Sequence, residues 1–351
     1  MVNALCPIAG HGWPRDHSAG LRHIGTNMGE ARKHHFISRC YLQGFTQNGA
    51  KNSKLFVIGV AQDRTFECTP SNVAHVRDFN RLDGHPAGAL DNALGQFEGL
   101  ACSALRQIES TGTIPDGDAW NYVMNLAALF AVRHPAQREN VRKFIEDISE
   151  RIFDLMLADS DRYHRVVQQA KEAGYSTTGR EVSFEEMKDF HQRKEYEIAV
   201  STNFHVQQEM DMVNTALETF ARRNWVVHVA APGAGHFVTS DRPLMLLDLL
   251  PSDGSLNRYV GHAMLDTMVV FPISRSALAV GTYHERTAPV VTRTAHRATV
   301  AKFNGITAQY AYREIYASSS RFPVIVGKWG GSGADLLSVL REMEFKKNRP
   351  G

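Results

Sequence analysis

The chain lacks several features that would narrow its function at once. No run approaches the roughly 18–20 apolar residues that a membrane helix needs, and residues 1–30 hold no apolar stretch of signal-peptide length. Neither sign of charge is in excess: 39 Lys and Arg against 37 Asp and Glu leave a net +2 with histidine neutral. A field that weak does not by itself select nucleic acid or a membrane surface, although a local basic groove stays open. Cysteine is scarce. Cys6, Cys40, Cys68 and Cys102 contain no C-x-x-C pair and lie far apart, which argues against a zinc ribbon and a disulfide framework and fits a reducing cytoplasm. There is no internal repeat and no low-complexity tract.

Three chemical signatures are also missing. Gly330-Gly331-Ser332-Gly333 is glycine-rich, but no Lys-Ser/Thr follows as a phosphate loop requires. Ser240 has no G-x-S-x-G elbow around it. Arg223 and His228 have the spacing of a helical nuclease signature, yet His228 falls in a β-like run.

What remains is ordinary globular composition, 43% apolar and 22% charged over 351 residues, ample for a core of one large domain or two intimate ones. Residues 1–32 read as a flexible arm and 346–351 as a polar tail, with a single domain over 33–345 between them. Leu55–Val60 and Arg64–Cys68 read as a hairpin. The helical middle spans 88–222. It begins with a stripe of Leu90, Leu94, Phe97, Ala101, Leu105 and Ile108, continues in a nearly apolar helix from Trp120 to Phe130, and resumes from Ala136 to about Lys171. In that third helix Val141, Phe144, Ile145, Ile148, Ile152, Leu155 and Met156 share one side. Residues 223–330 are richer in β: runs at 225–230 and 236–240 flank a Pro232–Gly235 turn, and 268–272 and 277–281 follow. A helix is expected over 296–318 and a last extended piece over 322–326. The fold class is α+β.

The chain is organised around Lys33-His34-His35-Phe36 and the run through Tyr41-Leu42 to Phe45, read as a short buried helix with both histidines and Arg39 near its start. Taken with Asn72-Val73, Asp78-Phe79, Glu98, Arg133-x-Pro135-x2-Arg138, Phe237 to Pro243, Phe271-Pro272-Ile273-Ser274, and Asn304 ahead of Ile315-Tyr316, that stretch resembles the domain-of-unknown-function 4238 family. The ordered match covers about residues 33–317. The resemblance implies a shared fold and supplies no reaction.

Each polar candidate carries two readings. His34 or His35 could be a metal ligand or general base, since imidazole titrates near neutrality, or a hydrogen-bonded pin for the N-terminal segment. Asp241, at a strand end, could ligate a cation or satisfy turn amides before Pro243. Glu98 lies beside a buried stripe, where a carboxylate is costly unless paired; Arg133 or Arg138 are its natural partners, and either arginine could instead bind phosphate. The leading expectation is a hydrolase acting on phosphodiesters, nuclease-like. His34, His35, Glu98 and Asp241 would be catalytic, Arg39, Arg133, Arg138 and Asn304 would bind substrate, and His35 with Asp241 would hold a divalent metal ion that activates water. The alternatives are a nucleic-acid- or protein-binding module whose polar motifs are structural, and a small-ligand sensor.

Overall fold

A computed structural model describes residues 33–114, 117–175, 181–250, 260–283 and 290–347. The arm expected over 1–32, the tail beyond 347, Pro115 and Asp116, and most of the loop read over 174–180 lie outside the described residues.

The chain begins with strand β1 (Lys33–His35) and helix α1 (Arg39–Gln43), then hairpin β2 (Leu55–Gly59) and β3 (Arg64–Cys68). A 3-10 turn over Pro70–Asn72 leads to β4 (His75–Arg77). β1 pairs antiparallel with β4, His34 opposite Val76 and His35 opposite His75. The double histidine is therefore in a strand and not at a helix start. Its backbone bonds go to β4, 40 residues on, a pairing that local periodicity does not encode.

Helices follow in the order α2 (Ala89–Thr111), α3 (Ala119–Val132), α4 (Pro135–Met156), α5 (Ser160–Glu172), α6 (Phe184–Arg193) and α7 (Thr202–Ala221). α2 lies between two left-handed glycines, Gly88 and Gly112, and buries the expected Leu90, Leu94, Leu105 and Ile108. α3 is buried almost throughout from Val123 to Val132 and packs between α2 and α7. The single long helix read over 136–171 is two: α4 stops at Met156, and Asp159 accepts the Asp161 and Arg162 amides to start α5. α4 also departs from expectation in its packing, because none of its residues is buried.

The rest comprises β5 (Asn224–Ala230), β6 (Thr239–Ser240), β7 (Met245–Asp248), β8 (Thr267–Ser274), β9 (Ala277–Thr282), β10 (Val290–Ala295), α8 (Arg297–Tyr310), β11 (Glu314–Ala317), β12 (Pro323–Val326), β13 (Trp329–Ser332) and α9 (Leu336–Lys347). One sheet has the order β10-β5-β9-β8-β7, antiparallel except where β10 joins β5. A second has the order β3-β2-β11-β6, and β12 pairs with β13. The two runs about Pro232 thus enter different sheets instead of forming a hairpin. The helix expected to 318 ends at Tyr310, and the buried run Ile315–Ala317 becomes β11 between β2 and β6. Burial on both faces makes that apolar run look the same as a helix in sequence. Mixed helices and sheets give the α+β class.

The largest core cluster draws Tyr41, Phe45, Leu105, Phe130, Phe220, Trp225, Phe271 and Tyr316 together. Tyr41 is its hub, stacked on Phe271 at 5.7 Å and edge-on to Phe130 at 5.0 Å. Its hydroxyl donates to the Pro272 carbonyl and bonds Thr239 Oγ1, both at 2.8 Å, as a buried phenol must. Cys40 and Cys102 form a disulfide that staples α1 to α2. Cysteine spacing could not reveal a bond across 62 residues, and the bond removes the cysteine argument for a reducing compartment. Among the described residues no helix is long and apolar enough to cross a membrane.

Candidate functional site

Alternation along β1 sends His34 and His35 to opposite sides. On the His34 side lies a buried polar network. His34 Nδ1 bonds Asp91 Oδ2 at 2.8 Å, Asn80 donates to Asp91 Oδ1 at 2.7 Å, and Arg133 donates to Asn80 Oδ1 at 2.5 Å. Arg133 also reaches the His35 carbonyl. Ser38 bonds Glu98, whose carboxyl is raised by burial against the pull of Arg133. Next to it, Arg138 grips both oxygens of Glu209 at 2.6 and 2.8 Å, donates to the Phe79 carbonyl, and lies 3.6 Å over the Phe79 ring. These groups tie β1 to α2, α3, α4 and α7. Most of their hydrogen-bonding capacity is spent on each other, and the Arg133 Nε stays buried without a partner among the described residues.

Beside this network, where β4 meets the start of α4, is a cleft of about 360 Å³, within the range of small-molecule sites. One wall is the turn into β4, with Asn72, Ala74 and His75; a second is the start of α4, with His134 and Glu139; a third carries Asp241 and Tyr312–Glu314. Ala74 in the first wall is a non-glycine residue in the left-handed region, at φ 50°, as is Asp78 at 56° just past β4, the kind of local strain that surrounding structure must enforce.

His134 caps α4, its Nδ1 accepting the Ala136 amide at 3.1 Å, so the ring proton is on Nε2. Burial, with Arg242 and Arg313 nearby, lowers its pKa to about 4, which keeps it a neutral N–H donor at pH 7. His75 is lowered by burial, while Glu314 pulls the other way. Its ring stands 5.6 Å from that of His35, which burial and the Arg39 charge lower to about 4. The His35 Nε2 is buried with no hydrogen-bond partner among the described residues. Glu314 accepts from the Tyr316 hydroxyl at 2.7 Å. Tyr312 is 44% exposed, with the Arg242 and Arg313 guanidinium carbons 4.8 and 5.2 Å from its ring centre.

Asp241 holds this third wall in place. Its two oxygens accept the Tyr312 and Arg313 amides at 2.8 and 2.7 Å, and burial raises its pKa to about 6 despite them. It is positioned by strand β6 and satisfies turn amides, though of a turn 70 residues on and not its own.

The residues expected to act together are therefore divided. His34, Glu98, Arg133 and Arg138 belong to the buried network, where Arg138 pairs with the Glu209 carboxylate and Arg133 with Asn80 and the His35 carbonyl. Asn304 lies in the core of α8: its Oδ1 accepts the Val238 amide and its Nδ2 donates to His236 and Pro323 carbonyls, so its amide pins strands and has nothing left for substrate. Arg39 is exposed at the start of α1, within electrostatic reach of His35 and Glu98. Asp241 lines the cleft, and His35 stands beside it through His75. Among the described residues no three His, Cys, Asp or Glu side chains converge as a metal ion would need; the expected pair of His35 and Asp241 has no third donor, and both Asp241 oxygens are engaged. Sequence reading missed His75, His134, Tyr312, Arg313 and Glu314. The signal for His134 was present, a histidine immediately before Pro135 where a helix begins. β4 is too short, and β11 too like a helix, for the others to announce themselves.

A family model described as a protein of unknown function (DUF4238) matches residues 33–321. No curated protein and no solved structure matches the chain.

Proposed function

Because the chain belongs to the DUF4238 family, whose description assigns no reaction, its function has to be argued from the cleft, and we propose a phosphodiester hydrolase acting on single-stranded nucleic acid. One observation carries this reading: an exposed aromatic ring flanked by two arginines opens onto the same cleft as two histidines and a carboxylate. A base can stack on Tyr312 while Arg242 and Arg313 take the adjoining phosphate, a sequence-tolerant mode of single-strand binding. His75, kept neutral by burial and made more basic by Glu314, takes a proton from the attacking water and, once charged, returns it to the ester oxygen that leaves as the P–O bond breaks. His134 offers its Nε2 proton to the charge that develops on the phosphoryl group.

This reading keeps the substrate class expected from sequence and moves the chemistry to different residues. The proton transfers run through histidine and need no ion held by the chain, so activity is expected to survive EDTA. The cytoplasm, where such substrates are plentiful, is the proposed setting, and cell fractionation tests it.

Fluorescent single-stranded RNA and DNA oligonucleotides provide the assay. His75→Ala and His134→Ala should each lower kcat on the order of 10²-fold, and Tyr312→Ala should act mainly on KM. Turnover that is indifferent to all three substitutions would remove the proposal. Salt-sensitive binding without turnover would favour the second reading, a nucleic-acid-binding module, which the locked state of His34, Arg133 and Arg138 already supports for those residues.

A further inference from the structure

Helix α4 carries its apolar residues on the wrong side for an ordinary surface helix. None of its 22 residues is buried, yet Phe144, Ile148, Ile152 and Leu155 are 63%, 40%, 59% and 60% exposed. Spacings of four, four and three place them along one face. The opposite side is attached largely by polar and aromatic ties: Arg138 to Glu209, Lys194 to Glu150, and the Phe153 ring stacked on His191. Four large apolar side chains in a continuous stripe, on a helix about 33 Å long, differ from the single exposed apolar residues that any surface shows.

The charges beside the stripe identify what covers it. Lys143, Asp147, Arg151 and Asp154 alternate in sign along one flank and are exposed. When this helix meets a second copy of itself antiparallel, with the two-fold axis beside Ile148, Asp154 lies one residue from the position opposite Lys143 and Arg151 two residues from the position opposite Asp147, offsets of roughly 1.5 and 3 Å that long side chains span, and each pair occurs twice. The same axis sets Phe144 against Ile152 and Ile148 against Ile148. A parallel pairing would instead carry this charged flank to the opposite edge of the partner, where these four residues do not meet one another. Asp154 also bonds His191 Nε2 at 2.8 Å, but its side chain stays 70% exposed and keeps an edge for a partner. A self-complementary patch of this sort is what two-fold association requires.

We propose that the chain forms a two-fold symmetric homodimer through antiparallel packing of α4. Sedimentation equilibrium on the full chain tests it. The expected result is a reversible dimer with a dissociation constant on the order of 10 µM, as suits a small interface. Asp147→Arg places like charges together at two symmetric positions and should weaken the dimer roughly tenfold. Adding Arg151→Asp to that variant exchanges the charges, keeps opposite signs at i and i+4 of the helix, and should restore the dimer to within about threefold of the original. Phe144→Ser with Ile148→Ser should leave only monomer, with helicity and Tm near those of the parent because neither residue is buried. A chain that stays monomeric to roughly 100 µM would overturn the proposal and leave the face to a different partner. A dimer that Asp147→Arg does not weaken, or that the exchange does not restore, would overturn the antiparallel α4 pairing.

Discussion

Both oxygens of Glu209 face the Arg138 guanidinium, in a site that leaves the two side chains 6% and 11% exposed. Removing one partner leaves a buried charge with no counterion, so Glu209→Ala is expected to cost about 3–5 kcal/mol, measured by urea unfolding. Replacing both by apolar residues should cost far less, because the desolvation penalty disappears along with the attraction. Asp241 obeys a related logic. Its carboxylate is the acceptor for two amides of the cleft wall, and Asp241→Ala would leave both unpaired, a loss of about 2–4 kcal/mol in the same assay. Asp241→Asn keeps one acceptor oxygen and should lose about half as much. Arg138 and Asp241 stood out in the sequence, whereas Glu209 did not. The roles of the first two were not legible there, since a buried ion pair and an exposed anion clamp use the same residue types.

At the scale of elements, close approach decides. α8 packs on β12 so tightly that a Cβ at Gly305 would sit 1.6 Å from the Ile325 carbonyl oxygen. No side-chain rotation relieves a clash with backbone, so Gly305→Ala should destabilise by at least about 3 kcal/mol, read from the urea midpoint. The staple between α1 and α2 acts through the unfolded chain. A bond closing 62 residues is worth about 2–4 kcal/mol in most proteins, and a reductant should lower the Tm unless Cys40→Ser or Cys102→Ser has already done so. Elements whose caps and stripes are local, such as α2 between its two glycines and the β2–β3 hairpin, were readable. β1, β4 and β11 were not, because their partners lie 40 residues away or more.

For the whole molecule, acid is the informative perturbation. Burial lowers His35, His134 and His262 from 6.5 to about 4. The stability they confer is complete above pH 6.5 and is lost as pH falls through about 4, because the unfolded chain takes up protons first. Asp241 has the opposite sign: raised from 3.8 to about 6, its contribution is complete below 3.8 and is lost as pH rises through about 6. Three histidines against one carboxyl give a net loss on acidification, at most about 4 kcal/mol per pH unit from the histidines and less where water reaches the rings. Urea midpoints at several pH values between 7.5 and 4.5 should therefore fall steadily. A flat profile would mean that these rings are protonated in the folded protein.

The sequence by itself determined the α+β class, the helical middle, the nearly apolar helix α3 and the family, because each rests on residues near one another or on an ordered set of phrases. It also marked Asp241 and the double histidine as unusual. Only the tertiary structure decided which polar groups meet. His34 and His35 diverge because pairing with β4 makes them a strand, and Arg133 and Arg138 face carboxylates and carbonyls because helices far apart in sequence close over them. The cleft forms where the turn before β4, the cap of α4 and the residues before β11 come together. No local pattern links those three segments, since what joins them is burial in one core.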